Sequence, residues 1–272
     1  MTFIQAIQQR WQQHNTLVCV GLDPYPEKFP EHLGQGADSI FAFNKAIIDA
    51  TADLVCAYKP QFAHYAGVGA EQQLKQTINY LKEAYPDIPV ILDSKRGDIG
   101  STATMYAKEA FEHYLADAVT VNPYMGSDTV DPFTAFKDKG TILLCRTSNP
   151  GAGEIQNLQV EGQHPLYEQV AKLAAERWNR HDNVLLVVGA TAAEEMARIR
   201  ALTGDMPFLV PGIGAQGGDL AAVMNSGMTK NGTGLIINSS RGILYASSNE
   251  DFADAAREET LKLKQAINQF RP

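Results

Sequence analysis

Very little in this chain belongs to a secreted, membrane-bound or nucleic-acid-binding protein. Cysteine is scarce: Cys19, Cys56 and Cys145 are the only three in 272 residues, and each lies in an apolar run. Such an odd, widely spaced set reads as reduced core thiols, not as a disulfide framework, and the expected compartment is the cytoplasm. No apolar stretch approaches the roughly 18 residues of a membrane span, and the N-terminal MTFIQAIQQRWQQHN reads as an amphipathic helix, not a signal peptide. Basic residues are outnumbered, 23 against 31 acidic ones, for a net charge of −8, and they are scattered. That leaves no electrostatic footprint for nucleic acid or an anionic membrane, so any bound anion must be met by local groups. The six histidines show no metal-ligand spacing.

What the chain does have is apolar residues, 44% of the total, enough for a substantial core. They gather into eight short runs: Thr16–Asp23, Leu54–Phe62, Pro89–Ser94, Ala118–Pro123, Gly140–Ser148, Asn183–Ala190, Pro207–Gly214 and Thr233–Ser240. These are nearly continuously apolar, as strands buried on both faces must be, and stretches of helical period such as 69–85, 101–115, 165–180 and 192–203 separate them. Starts at 16 and 233 leave seven steps of about 31 residues, the size of a strand, a loop and a crossover helix. Eight βα units are the count of a (β/α)8 TIM barrel, and a doubly wound open sheet holds the same units. With no long linker or composition shift, residues 1–272 read as one α/β domain.

The C-terminal ends of the runs are polar, and in a barrel those ends build the active site. They offer Asp23 in GLDP, Lys59 in YKPQ, Asp93 and Lys95 in LDSKRGD, Asn122 in VNPY, Thr147 and Ser148 in RTSNPG, the glycines of PGIGAQGG, and Arg241 in NSSRG. Ending buried strands in charge is costly unless the charges serve a site. Asp93 and Lys95, two apart on a strand, should share a face, with Asp98 beyond the strand end opening a helix near Ser101. A carboxylate beside a lysine keeps it protonated, which suits a proton donor more than a nucleophile. Lys59 adds a second cation, for an Asp–Lys–Asp–Lys array. A Mg²⁺ site on Asp93 and Asp98 is the rival, but the ammonium would stand where the metal must, and no further acidic cluster completes an oxygen shell.

PGIGAQGG puts backbone amides at the start of a helix, a setting that favours anions, and Arg241 can add a charge-assisted contact; together they read as a phosphate site. Gly212, Gly214 and Gly217 also spell G-x-G-x-x-G. After Asp219, however, the next acidic residue is Glu250, so no carboxylate stands about 20 residues on to hold a ribose, and a phosphate monoester is the better reading than a dinucleotide. The longest gap between strand starts runs from 140 to 183 and opens with TSNPGAGEIQNLQVEGQ, a candidate lid. Glu109 and His113, at i and i+4, read as a solvated pair, and Cys145 as a core residue.

Asp93, Lys95, Asp98, Ile99 and Thr102 spell D-x-K-x-x-D-I-x-x-T, and with VNPYMG, TSNPG, PGIGAQGG and SSRG in order the chain resembles the longer version of the orotidine 5′-monophosphate decarboxylase family. The resemblance runs from GLDP to SSRG. It implies a homodimeric (β/α)8 barrel that forms UMP and CO2, the last step of UMP biosynthesis, without metal or organic cofactor. It also implies roles: Asp23 and Lys59 on the ribose, with Lys59 holding Asp93; Asp93 beside the substrate carboxylate; Lys95 donating a proton to C6. Asp98 and Thr102 would reach the opposite subunit's site, Ser148 would read the pyrimidine edge, and Gln216 and Arg241 would grip the phosphate beside Gly212 and Gly214. Asn122 is a further candidate contact. Compared with shorter members of the family, the loop after the seventh strand is brief and the loop after the fifth is long. The rival functions are a Mg²⁺-dependent sugar-phosphate decarboxylase or aldolase of the same barrel class, and a nucleotide-binding regulator without activity.

Overall fold

The protein is described by a computed structural model over residues 1–160, 162, 164–213 and 218–272. Each of the eight apolar runs forms a strand: β1 Val18–Leu22, β2 Ala57–Pro60, β3 Ile91–Arg96, β4 Ala118–Val121, β5 Gly140–Arg146, β6 Val184–Val188, β7 Phe208–Val210 and β8 Leu235–Ser239. Their near-continuous apolarity has the expected cause, since every residue of β1, β2, β4, β6 and β7 is buried. The strands pair in parallel in the order β2-β1-β8-β7-β6-β5-β4-β3. Parallel bridges from Tyr58 to Val90 and from Gln61 to Asp93 join β2 to β3. The ring therefore closes, which excludes the open sheet and makes the architecture a (β/α)8 barrel.

A helix follows each strand. Glu71–Ala84 and Ala193–Thr203 match their expected stretches closely. The other two stretches begin as Gly100–Lys108 and Leu166–Leu173, and each ends in a wider π turn, Glu109–His113 and Ala174–Trp178. At the N-terminal end of the barrel the helix Phe3–Gln13 closes the floor. A Cβ on Gly140, where β5 begins, would lie 2.5 Å from the Phe3 ring. Arg10 on the same helix is buried and donates to the Val55 and Ala52 carbonyls and to Asp87. The three cysteines are buried and unpaired, and burial pushes the Cys145 thiol well above its usual value, as befits a core residue. Among the described residues no helix is long and apolar enough to cross a membrane.

The gap between β5 and β6 holds local structure. It contains a short helix, Gly153–Gln156, and an antiparallel pairing of Gln159–Val160 with His164–Pro165. Glu109, expected to pair with His113, instead makes a two-pronged contact with Arg96, 2.9 Å on each arm. The guanidinium of Arg96 also stacks over Phe62 and Tyr106, and this stacked, bidentate partner outweighs a neighbouring imidazole.

Candidate active site

At the C-terminal ends of the strands a cavity of about 470 Å³ opens, lined by Asp23, Lys59, Asp93, Lys95, Ser148, Gly212 and Arg241 among others. The volume falls within the range of small-molecule sites. Among the described residues three cations and two carboxylates line it, although the chain as a whole is acidic.

Asp93 lies at its charged centre. Oδ2 accepts from Lys59 Nζ at 3.0 Å, and Oδ1 accepts from Lys95 Nζ at 2.7 Å. Lys59 also faces Asp23 at 3.7 Å, an ion pair too long for a hydrogen bond. The Lys59 side chain is 4% exposed and that of Asp93 9%, so burial alone would neutralise both. Their mutual field reverses this. Desolvation pushes the Asp93 carboxyl up, but the charges of Lys59 and Lys95 hold it well below the usual range. Desolvation likewise opposes the Lys59 ammonium, and Asp23 and Asp93 hold it charged above its ordinary value.

Strand alternation does not explain how Lys95 reaches Asp93. β3 pairs with β4 in register at Leu92–Val119 and again at Arg96–Val121, so Asp93, Ser94 and Lys95 oppose Thr120 alone. This bulge puts Lys95 at φ 47°, in the left-handed region, at a cost of about 1–2 kcal/mol for a side-chain-bearing residue. The distortion bends the ammonium back onto the carboxylate, where it stays 44% exposed toward the cavity. On the opposite wall, β1 must pass close to the end of β8. A Cβ at Gly21 would fall 1.9 Å from Ser240 Oγ and 3.0 Å from its Cβ, so a larger residue there would require Ser240 to move.

Other expected residues lie elsewhere. Asp98 and exposed Thr102 do not line the cavity of their own chain. The Asp98 carboxylate accepts from the Ile99 amide, and its carbonyl accepts from the Thr129 hydroxyl. Asn122 is exposed and caps the turn after β4, accepting from the Tyr124 amide. Gly212 lines the cavity at φ 100°. Gly214 and Gln216 lie outside the described residues. The amides expected to meet a phosphate are those of PGIGAQGG, most of which also lie outside the described residues; in the helix that follows, Leu220–Gly227, two of the first amides are already taken. Asp219 occupies them, accepting from Ala221 and Ala222 at 2.9 and 3.3 Å.

Residues 16–256 match the orotidine 5′-phosphate decarboxylase / HUMPS family. The chain belongs to this family. It is 60% identical to the orotidine 5′-phosphate decarboxylase of Cellvibrio japonicus (strain Ueda107), covering all of both chains. Among solved structures, it superposes on Leishmania donovani OMP decarboxylase with a TM-score of 0.87 at 39% identity, covering 100% of this chain and 99% of that one. It also superposes on Leishmania donovani UMP synthase with a TM-score of 0.89 at 40% identity, where all of this chain spans 57% of that one. As a decarboxylase of this family the chain is an enzyme of the carboxy-lyase class.

The family's strand-end charges were visible in the sequence, and three neutral residues of the site were not. Thr120 bonds to Asp93 and to the bulged backbone of β3. Gln61, turned so that its amide nitrogen donates to the Asp93 carbonyl, accepts from Lys95 Nζ at 3.2 Å. Gln156 folds back to Thr147, accepting from its amide at 2.9 Å and donating to its hydroxyl at 2.8 Å, which fixes the mouth of the expected lid beside Ser148. The one signal for Gln61 was its place two residues after Lys59 in YKPQ. Nothing in the pattern marked Thr120 or Gln156.

Proposed function

We propose that this chain decarboxylates orotidine 5′-monophosphate to UMP and CO2, the last step of UMP biosynthesis, with Lys95 as the proton donor to C6. The observation that carries this reading is Asp93 bonded at once to Lys59 and Lys95 in a cavity whose far side holds Arg241. Loss of CO2 breaks the C6–carboxylate bond and leaves the electron pair in the ring plane, where no adjacent sink delocalises it. A fixed ammonium stabilises that localised charge, and Lys95 Nζ then gives it a proton, to be replaced from solvent. Asp93, beside the departing carboxylate, keeps Lys95 charged and aimed.

Asp23 and Lys59 would hold the ribose, Ser148 the pyrimidine edge, and Arg241, Gln216 and the backbone about Gly212 and Gly214 the phosphate. Binding at the phosphate is remote from C6, so it serves orientation and closure of the loop after β5. Asp98 and Thr102 act in the site of a second copy in a homodimer. In support, they lie off their own cavity on a face where Ile99, Met105, Tyr124 and Met125 are 47–80% exposed. The enzyme works in the cytoplasm, on a small-molecule substrate, with neither nucleic acid nor membrane as partner and with no cofactor.

Loss of ultraviolet absorbance on adding orotidine 5′-monophosphate, with and without EDTA, tests the reading. Turnover unaffected by EDTA is expected. Turnover abolished by EDTA would favour the metal-dependent sugar-phosphate reading, and none in either condition would favour a regulator.

A further inference from the structure

We infer that Thr120 is a positioning residue for the reaction, its hydroxyl setting both the direction of the Asp93 carboxylate and the left-handed backbone that presents Lys95. The inference rests on the proposed decarboxylation and deepens it. In a regular parallel ladder the consecutive amides of Ser94 and Lys95 would face opposite neighbouring strands, but the bulge between Leu92 and Arg96 breaks the register and turns both toward β4. Thr120 Oγ1 accepts from both, at 3.0 and 2.9 Å. A hydroxyl has two acceptor sites and one proton, so with both acceptor sites filled the proton has one direction left. It points at Asp93 Oδ1, 2.8 Å away.

Thr120 is 1% exposed, so none of these bonds competes with bulk water. One buried hydroxyl thus ties together the backbone of the proton donor and the carboxylate that aims it. Lys95 Nζ meets the same Oδ1 at 2.7 Å, which closes a loop from the Lys95 amide through Thr120 and Asp93 to the Lys95 ammonium. Geometry held through such a supporting contact matters because misplacement of a catalytic group by about 1 Å can cost around 10²-fold in rate. Thr120 borders the cavity, and the role inferred for it runs through Asp93 and Lys95, not through a contact with the reacting atoms.

The test compares wild type, Thr120→Val and Thr120→Ser in steady-state turnover of orotidine 5′-monophosphate, with UMP affinity measured separately by calorimetry. Valine keeps the volume and removes every hydrogen bond. It should lower kcat by roughly 10²-fold while UMP affinity stays within about threefold, since the phosphate and ribose contacts are untouched. Serine keeps the hydroxyl and should restore kcat to within about fivefold of wild type. A Val variant that is less heat-stable but has unchanged kcat would show that Thr120 only fills space, and a Ser variant as slow as Val would show that the hydroxyl is not the cause. If the Val variant does not fold, Thr120→Cys decides the same question. The thiol is a weak donor and acceptor, so kcat should fall at least about tenfold, and an unchanged kcat overturns the inference. Failure of wild type to turn over would instead overturn the proposed function, so the two failures are distinct.

Discussion

At the β2–β4 side of the cavity Lys59 and Asp93 are buried, and both carboxylate oxygens of Asp93 accept hydrogen bonds from ammonium or hydroxyl groups. At the β7–β8 side Arg241 is exposed, and among the described residues its side chain makes no ion pair or hydrogen bond. The desolvation of the first set is met during folding, so its charges are fixed before any substrate arrives, which is what stabilising a transient charge demands. On the proposed reading, Arg241 keeps its charge available for an incoming anion. The proposed function thus divides chemistry from grip in space, and a buried, paired end from an exposed one.

The separation can be broken residue by residue. Lys95→Ala removes the donor and the cation nearest C6; turnover should fall by about 10⁴-fold or more while UMP still binds, and a loss under tenfold would refute the assignment. Asp93→Asn should strike stability as well, because it strips the buried Lys59 of its closest counter-ion: urea unfolding should show a loss of about 3 kcal/mol at pH 7. Asp93 is held below its unfolded value and Lys59 above its own. Their contribution is therefore whole between about pH 4 and pH 10, shrinking as pH falls below the first value or rises past the second. The stability gap between wild type and variant should close as pH falls below about 4, and narrow toward high pH where the Lys59 left in the variant gives up its proton. A gap that persists unchanged below about pH 4 would mean the pair is not ionised as described.

Arg241→Ala should leave urea stability unchanged and lower kcat/KM by roughly 10²-fold, for a lost charge-assisted contact of about 3 kcal/mol. An unchanged kcat/KM would move the phosphate elsewhere. The smallest effect concerns the second subunit. Mixing inactive Lys95→Ala and Asp98→Ala chains in equal amounts, with free subunit exchange, should restore about one quarter of wild-type activity, since half the dimers are mixed and each has one intact site. Heterodimers without activity would place Asp98 in its own subunit's site.

How far the sequence foretold this molecule differs between the same two regions. The eight strands were legible because burial on both faces writes a continuous apolar run, and charges ending such runs can hardly be decorative. Asp93, Lys95 and Lys59 were found on that ground. The route by which Lys95 meets Asp93 was not legible: alternation along a strand named the right neighbours, but the contact depends on a bulge and a left-handed backbone supported by Thr120, a residue that reads as ordinary strand filling. At the other end, the amides of PGIGAQGG were read as the anion site; past them, the Asp219 carboxylate caps the helix at Ala221 and Ala222, a cap residue that is visible in sequence one position before the helix. Gln156 was hidden because a side chain that folds back nine residues to Thr147 leaves no periodic trace.

The most direct measurement of the division between a rigid reacting end and an open gripping end is a crystal structure with UMP bound. The account places C6 of the pyrimidine within hydrogen-bond reach of Lys95 Nζ and the phosphate on the Arg241 guanidinium, with the Lys59–Asp93–Lys95–Thr120 contacts unchanged from those described. A phosphate seated on Lys59 and Lys95, or a rearranged Asp93, would contradict it.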